Sequence, residues 1–340
     1  YIFGGWYTNA VFTEKAADPF VANGSVTLYA RWRLADAVTV DFETAYDGKT
    51  DVNGCSNFGG SFALNKEGAV NHGTAVDYDA NGVKSGSASL IATSGTSNSS
   101  VLLRSDGKPD GIIAAPGARY KITVNYKLAS GDVTDTALSI ATAEKTDGWY
   151  RVNNYANGGV YLTNAENWTQ TTLYYKNTTE TEQYLHLRID GEKAADHAAK
   201  VFIDDIAAEE LGDETVVVSM LGNGNMWQKH LFGKEGESLA LESPVRAGRR
   251  FLRWHRDVGV KYDSDVFPST DTVLYAKWSD KGDVNLDEKV DITDLIRLKK
   301  YLADPDTYTV SANPEADVTA NGGINADDLG ALRKILLGIK

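Results

Sequence analysis

Apolar and polar residues alternate with a period of two along most of this chain. Tyr120, Ile122, Val124 and Tyr126, for example, are interleaved with Lys121, Thr123, Asn125 and Lys127. That alternation puts one face on a core and the other in water, the signature of a half-buried strand. Strands are expected on this basis at residues 38–43, 87–92, 100–103, 119–128, 137–141, 159–162, 169–175, 183–189 and 200–206, separated by Gly, Asn, Asp and Ser. No long 3.6-residue apolar period interrupts residues 37–211, so the spacing predicts an all-β sandwich there. The period changes only near the end, where Leu295, Leu298 and Leu302, then Leu329, Leu332 and Leu336, recur at i, i+3 and i+7. Two amphipathic helices are expected from it.

The two ends of the β-rich part match each other. Phe3-Gly4-Gly5-Trp6-Tyr7 and Val26-Thr27-Leu28-Tyr29-Ala30-Arg31-Trp32 recur as Phe251-Leu252-Arg253-Trp254-His255 and Thr272-Val273-Leu274-Tyr275-Ala276-Lys277-Trp278. A separation of nearly the whole chain marks an internal repeat. These segments resemble the Listeria-Bacteroides repeat, the internalin-type B-repeat of bacterial surface proteins. In the complete copy, residues 214–278, the resemblance implies a first strand at 215–220, a turn at 222–225 and a middle strand near 238–242. Leu252-Arg253 departs from the Gly-Gly of the first copy. The N-terminal copy, residues 1–33, has only its final part; the earlier strands are expected upstream, and the piece is expected to be poorly ordered unless it packs on a neighbour. The family implies an extracellular spacer or adhesive module.

Composition narrows the partners. The 340 residues carry 34 Lys and Arg against 47 Asp and Glu, a net charge of −13. That argues against a nucleic-acid or anionic-membrane partner. The length predicts two or three domains, and 42% hydrophobic residues suffice for ordinary cores. Cys55 has no second cysteine to pair with, so an extracellular protein of this sequence needs metal or packing for its stability. No run of about 18 apolar residues exists, and the N-terminus lacks an initiator Met and a signal pattern, as expected of a chain that starts mid-protein. The five histidines show no H-E-x-x-H, no G-x-S-x-G elbow is present, and Gly48-Lys49-Thr50 lacks the first glycine of a P-loop. The expectation is therefore no enzyme in this segment.

Four patterns in the sandwich, Asp41-Phe42-Glu43, Ser85 to Leu90, Asn167-Trp168-Thr169-Gln170 and Val201 to Ile206, resemble the galactose-binding-like jelly rolls of carbohydrate-binding modules. The resemblance implies that the first and last strands pair and that a structural calcium near their ends recruits Glu43 and Asp205. Sugar binding needs an aromatic surface beside amides or a guanidinium. Trp149, Tyr150, Arg151, Asn153, Asn154 and Tyr155 supply both in a Gly-flanked stretch expected to be a loop. Trp168, leading into a strand, is expected in the core.

At the C-terminus, Asp283, Asn285, Asp287, Asp291 and Asp294 occupy positions 1, 3, 5, 9 and 12 of a calcium loop. Asp317, Thr319, Asn321, Asn325 and Asp328 repeat the pattern. Two loop-helix units with no entering helix resemble a type I dockerin over residues 282–340, the calcium-dependent plug that docks onto cohesins. The resemblance implies one calcium per loop, with the carbonyls of Lys289 and Gly323 as further ligands. Leu286 and Glu288 replace the glycines usual at positions 4 and 6, which strains the turn; fewer charged ligands should weaken loop two. Cohesin contact in this family runs through loop positions 10 and 11 and the following helix. Here those are Ile292, Thr293, Lys299 and Lys300, with Leu295 as an apolar anchor if exposed, and Ala326, Asp327, Arg333 and Lys334 in the second unit.

The sequence therefore reads as a mostly β, multidomain, secreted, non-catalytic component of a cellulosome-like or amylosome-like complex of an anaerobic bacterium. The expected partners are a scaffoldin cohesin, through which it would be held at the cell surface, and a polysaccharide of plant cell wall or starch type, with no membrane insertion. The alternatives are an adhesin fragment whose sandwich binds a protein or host ligand, and the accessory region of an upstream glycoside hydrolase.

Overall fold

The computed structural model describes the chain except residues 13, 44–61, 72–73, 76, 95–99, 104–110, 134–135, 147–148, 156–158, 191–198, 224–227, 247–248, 257–259, 311–313 and 340. The described set also leaves out the side chains at 70–71, 74–75, 145–146 and 149–155. Two compact units result, residues 1–217 with 226–234, and residues 218–225 with 235–340.

The first unit opens with β1 (Ile2–Tyr7) and β2 (Tyr29–Arg33), an antiparallel pair. The sandwich follows as β3 (Val38–Val40), β4 (Phe62–Lys66), β5 (Val70–Asn71), β6 (Thr74–Ala75), β7 (Ala88–Thr93), β8 (Ser100–Leu102), β9 (Ile113–Ala114), β10 (Arg119–Ser130), β11 (Ala137–Thr146), β12 (Trp149–Tyr155), β13 (Val160–Tyr161), β14 (Thr169–Lys176), β15 (Gln183–Asp190) and β16 (Lys200–Glu210). One sheet runs β14-β10-β16-β7-β4 with β3 also on β16; the facing sheet runs β12-β11-β15-β8, with β13 on β11 and β9 on β15. Tyr120, Ile122, Val124 and Tyr126 are all buried, as their alternation requires, and share one core with Leu138, Ile140, Leu185, Leu187 and Ile189 of the facing sheet. The first and last strands pair as expected, Val40 opposite Ile206 and Val38 opposite Ala208.

A bulge in β16 breaks the alternation. Register shifts between Thr123 and Asn125, Asp205 takes a left-handed φ of 46°, and Asn125 Nδ2 donates to the Asp205 carbonyl at 2.9 Å. Ile203 and Ile206, three residues apart, are thereby both fully buried.

Two expectations need correction. Residues 149–155 form a strand, paired antiparallel with β11, and not a loop; Trp149, Tyr150, Val152 and Tyr155 are strand-favouring residues, and β11 supplies the partner that the flanking glycine does not reveal. Trp168 is half-buried at the start of β14 and not a core plug.

The N-terminal pair is tied to the sandwich by charge. Arg31 Nη2 meets Glu210 Oε1 at 3.3 Å, with both side chains under 10% exposed, and Glu210 Oε2 accepts from Leu34 N at 3.1 Å. Lys15 pairs with Asp213, which also accepts from the Tyr7 hydroxyl. This piece thus packs on a neighbour. β18 (Gln228–Gly233) belongs to the same unit, where His230 and Phe232 meet the Tyr174 ring at 5.5 and 6.1 Å.

In the second unit, β17 (Val216–Leu221) pairs in parallel with β20 (Thr272–Trp278) from Val218 onward, and β20 pairs antiparallel with β19 (Phe251–His255). The middle strand expected near 238–242 is only an isolated bridge, Ser238 opposite Val266. The two repeats share their local geometry. Each has a register shift at the matching place, between Phe3 and Gly5 and between Phe251 and Arg253, and each gathers the same aromatic trio. Phe251 lies 5.2 Å from Trp254 and 6.0 Å from Trp278, and Phe3 lies 5.5 Å from Trp6 and 5.3 Å from Trp32. The chain then forms α1 (Ile292–Ala303) and α2 (Ala326–Leu336). Leu298 and Leu332 are fully buried with Val284, Val310 and Val318, and the four other helix leucines pack against them.

Removing Arg31 leaves the Glu210 carboxylate buried without a cation, so Arg31→Ala should cost the first unit about 3 kcal/mol in chemical denaturation. A loss under about 1 kcal/mol would show that water reaches Glu210. Burial pushes His230 down to about 4, so the folded chain binds fewer protons than the unfolded one between that value and an ordinary pKa of about 6.5. Its contribution is complete above pH 6.5 and lost as pH falls toward 4. His230→Gln should flatten this part of the stability profile, as thermal melts across that window will register.

Candidate functional site

The densest polar chemistry lies in the two segments that precede the helices. In loop one, Asp283 is fully buried; its Oδ1 accepts from Asp287 N and its Oδ2 from Glu288 N, both at 3.1 Å. Asp294, also fully buried, accepts from Asn285 N at 3.0 Å and Asp291 N at 2.8 Å. Asn285 Oδ1 accepts from Asp287 N, and Asp287 Oδ1 from Lys289 N. Asp291 caps α1 and forms a reciprocal capping box with Asp294.

Loop two repeats this wiring. Asp317 accepts from Asn321 N and Gly322 N at 3.0 and 2.9 Å; buried Asp328 accepts from Thr319 N, Thr319 Oγ1 and Asn325 N at 2.9, 2.7 and 2.8 Å. Asn321 Oδ1 accepts from Gly323 N, and Asn325 caps α2 in the same box. Position 4 is left-handed in both loops, at Leu286 (φ 63°) and Ala320 (φ 56°), and so is position 6, at Glu288 (φ 69°) and Gly322 (φ 89°). Three non-glycine residues therefore hold a conformation that costs on the order of 1 kcal/mol each.

The donor sets suit a hard cation. Loop one concentrates four carboxylates, and burial, together with the charges of Asp294 and Asp287, pushes Asp283 up to about 6. That is negative charge in want of a counter-ion. Loop two differs: burial opposes it, but N–H bonds from Thr319 and Asn325 hold Asp328 below the usual carboxylate range. Among the described residues no three or more His, Cys, Asp or Glu side chains close into a metal cluster. The loop carboxylates are spread over N–H donors of their own loops, and the fit to a cation rests also on Asn, Thr and main-chain oxygens.

The Glu43 and Asp205 pair fits a metal less well. Glu43 accepts from Ser87 N, Ser87 Oγ and Ala88 N at 2.8–2.9 Å. Asp205 accepts from Ser85 Oγ and pairs with Lys84 Nζ, both at 2.7 Å, while buried Asp204 accepts from Lys84 N and Ser85 N. The two acids thus pin opposite ends of residues 84–88, with a lysine ammonium supplying the positive charge.

On α1, Ile292 is 59% exposed and Lys299 and Lys300 face solvent, Lys300 Nζ lying 5.3 Å from the Tyr308 ring centre. Thr293 is exposed and donates to Asp291. Leu295 is half-buried against the core, so it is no exposed anchor; Ile296, one position on, is exposed instead. On α2, Ala326, Asp327, Arg333 and Lys334 are exposed, with Ile335, Leu337 and Ile339 beside them. Ile296 and these three were missed in the sequence because a leucine stripe hides the apolar residues off it.

Of the sugar candidates, Trp149, Tyr150, Arg151, Asn153, Asn154 and Tyr155 lie on β12, and their side chains fall outside the described residues. Backbone register pairs Tyr150 with Lys145, Arg151 with Glu144 and Tyr155 with Ala141.

Residues 281–337 match the dockerin type I domain family, and residues 1–31 and 222–277 match the Listeria-Bacteroides repeat domain. No curated protein matches the chain. Similar solved structures include the CBM22-1 and GH10 modules of Clostridium thermocellum xylanase 10B complexed with xylohexaose, at 16% identity and TM-score 0.34 over 56% of this chain and 34% of that one. The CBM22-1 xylan-binding domain of Paenibacillus barcinonensis Xyn10C follows at 13% identity and TM-score 0.30, over 54% and 99%. The K1 cleaved adhesin domain of Porphyromonas gingivalis Lys-gingipain is similar at 8% identity and TM-score 0.27, over 52% and 99%. The chain spans about a third of the first of these structures.

A type I dockerin binds calcium, and in this chain the core beneath α1 and α2 is small. Chelator should therefore remove helix from the circular dichroism of the full chain, and calcium should restore it. Asp294→Ala should lower the helical signal in calcium more than Asp328→Ala, because loop one has more charge to neutralise. Equal losses would mean that the two loops bind as one unit.

Proposed function

We propose that this chain is a secreted, non-catalytic component of a cellulosome-type assembly that docks onto a scaffold cohesin through residues 282–340 in a calcium-dependent manner. In this reading residues 37–211 are a β-sandwich that binds polysaccharide, residues 214–278 a spacer repeat, and residues 1–33 the end of another. The observation that carries the docking reading is the duplication. Two loops of the same hydrogen-bonded wiring each launch a helix with an exposed basic pair and exposed apolar residues beside it. Each loop holds one calcium: Asp283, Asn285, Asp287, Asp291 and Asp294 with the Lys289 carbonyl, and Asp317, Thr319, Asn321, Asn325 and Asp328 with the Gly323 carbonyl. When bound, calcium supplies the positive charge that lets several carboxylates share one small loop.

The docking face combines a local excess of positive charge with apolar anchors on a chain of charge −13. Lys299 and Lys300 steer an acidic partner, and Ile292 and Ile296 supply the desolvated contact. The second face, with Arg333 and Lys334, is built alike. The sandwich reading rests on the aromatic, amide and guanidinium groups of β12 together with the docking reading, and it leaves the glycan open. Soluble and insoluble plant polysaccharides, xylan and starch included, are the probes for residues 37–211.

Surface-immobilised cohesins from scaffold proteins, probed with the full chain in calcium, test the docking directly. Binding should vanish with chelator, slow as salt is raised, and associate several-fold more slowly after Lys299→Glu with Lys300→Glu. Unchanged association in that variant, with binding abolished by Arg333→Glu and Lys334→Glu, would assign docking to the second face. Binding to no cohesin across divergent scaffolds, by a chain whose helices form in calcium, would count against the docking reading.

A further inference from the structure

Two departures from glycine meet in space. In the first repeat the residue at the register shift is Gly5; in the second it is Arg253. In loop two the left-handed residue at position 6 is Gly322; in loop one it is Glu288, held at φ 69°. Each looks like a local defect, since Glu288 strains a turn that glycine would form freely. Yet Arg253 Nη1 and Glu288 Oε1 form an ion pair across 35 residues of sequence. Both side chains are less than half exposed.

The contact is reinforced nearby. Glu315, just before loop two, is fully buried; its Oε1 accepts from Ser279 Oγ and from Arg250 N, next to β19, and its carbonyl accepts from Gly282 N at the entrance of loop one. Arg249 Nη1 donates to the Ser279 carbonyl at 2.6 Å.

We propose that Arg253 is a positioning residue for the first calcium loop: by pairing with Glu288 it holds position 6 left-handed, so that the second repeat and calcium binding in loop one are thermodynamically coupled. A contact that favours the bound loop must, by linkage, let calcium stabilise the repeat by the same factor. The repeat is then a part of the docking module and not a free spacer, whereas loop two, with Gly322 at the same position, needs no such support. This inference rests on the reading that loop one holds calcium.

Calcium titration calorimetry and hydrogen exchange on the full chain test it. Arg253→Met, which keeps the aliphatic stem, should weaken the tighter calcium site about two- to five-fold, the range for a partly exposed ion pair. Arg253→Lys should restore part of the affinity. On a Glu288→Gly background, Arg253→Met should change nothing. Calcium should slow exchange across Phe251–His255 in the wild type, and Glu288→Gly, which leaves the repeat's sequence intact, should remove most of that slowing. Equal effects of Arg253→Met with and without Glu288, or full calcium-dependent slowing in Glu288→Gly, would overturn the coupling while leaving the calcium reading in place. A wild-type chain that binds no calcium would overturn both.

Discussion

Buried carboxylates need a positive partner, and much of this chain is arranged around that constraint. Asp283, Asp294, Asp328 and Glu315 have no exposed surface, nor does Asp204 in the sandwich. An isolated carboxylate at such sites would cost several kcal/mol. The chain answers in three ways. Glu210 has Arg31, the 84–88 segment sets the Lys84 ammonium on Asp205 beside Asp204, and the C-terminal loops turn main-chain N–H groups toward their aspartates while leaving charge for a cation.

The loops are asymmetric in that respect. Loop one carries more carboxylate and leaves Asp283 raised; loop two spends hydroxyl and N–H donors on Asp328. Charge density raises the intrinsic attraction for calcium but makes the loop harder to close without it. The Arg253 contact offsets that cost where it is greatest. On this proposal the repeat braces the stronger site; its residues 235–278 and both C-terminal helices fall in one compact unit.

The regular part of this fold was legible because periodicity is local information. Tyr120 through Tyr126 and the two leucine stripes each announce their element and their buried face, and the paired calcium loops announce themselves by oxygen spacing. Less legible were features decided at a distance. Residues 149–155 look like a loop until β11 supplies a partner strand. The bulge at Asp205 makes Ile203 and Ile206 share a face, which no fixed period predicts. Leu295 belongs to the stripe that points inward, so it is unavailable as the anchor it would be if exposed, and the apolar residues beside the basic pairs, Ile296 and Leu337 among them, carry no motif. The Arg253 and Glu288 pair was visible only as two unexplained losses of glycine.

The account depends most on the loops being two unequal cation sites. Calcium titration of the metal-stripped full chain measures that directly, as heat released per equivalent of ion. The account predicts two ions per chain in two resolvable phases, the tighter of which disappears in Asp294→Ala. A single phase of one ion, or a tighter phase that survives Asp294→Ala and is lost in Asp328→Ala, would contradict it.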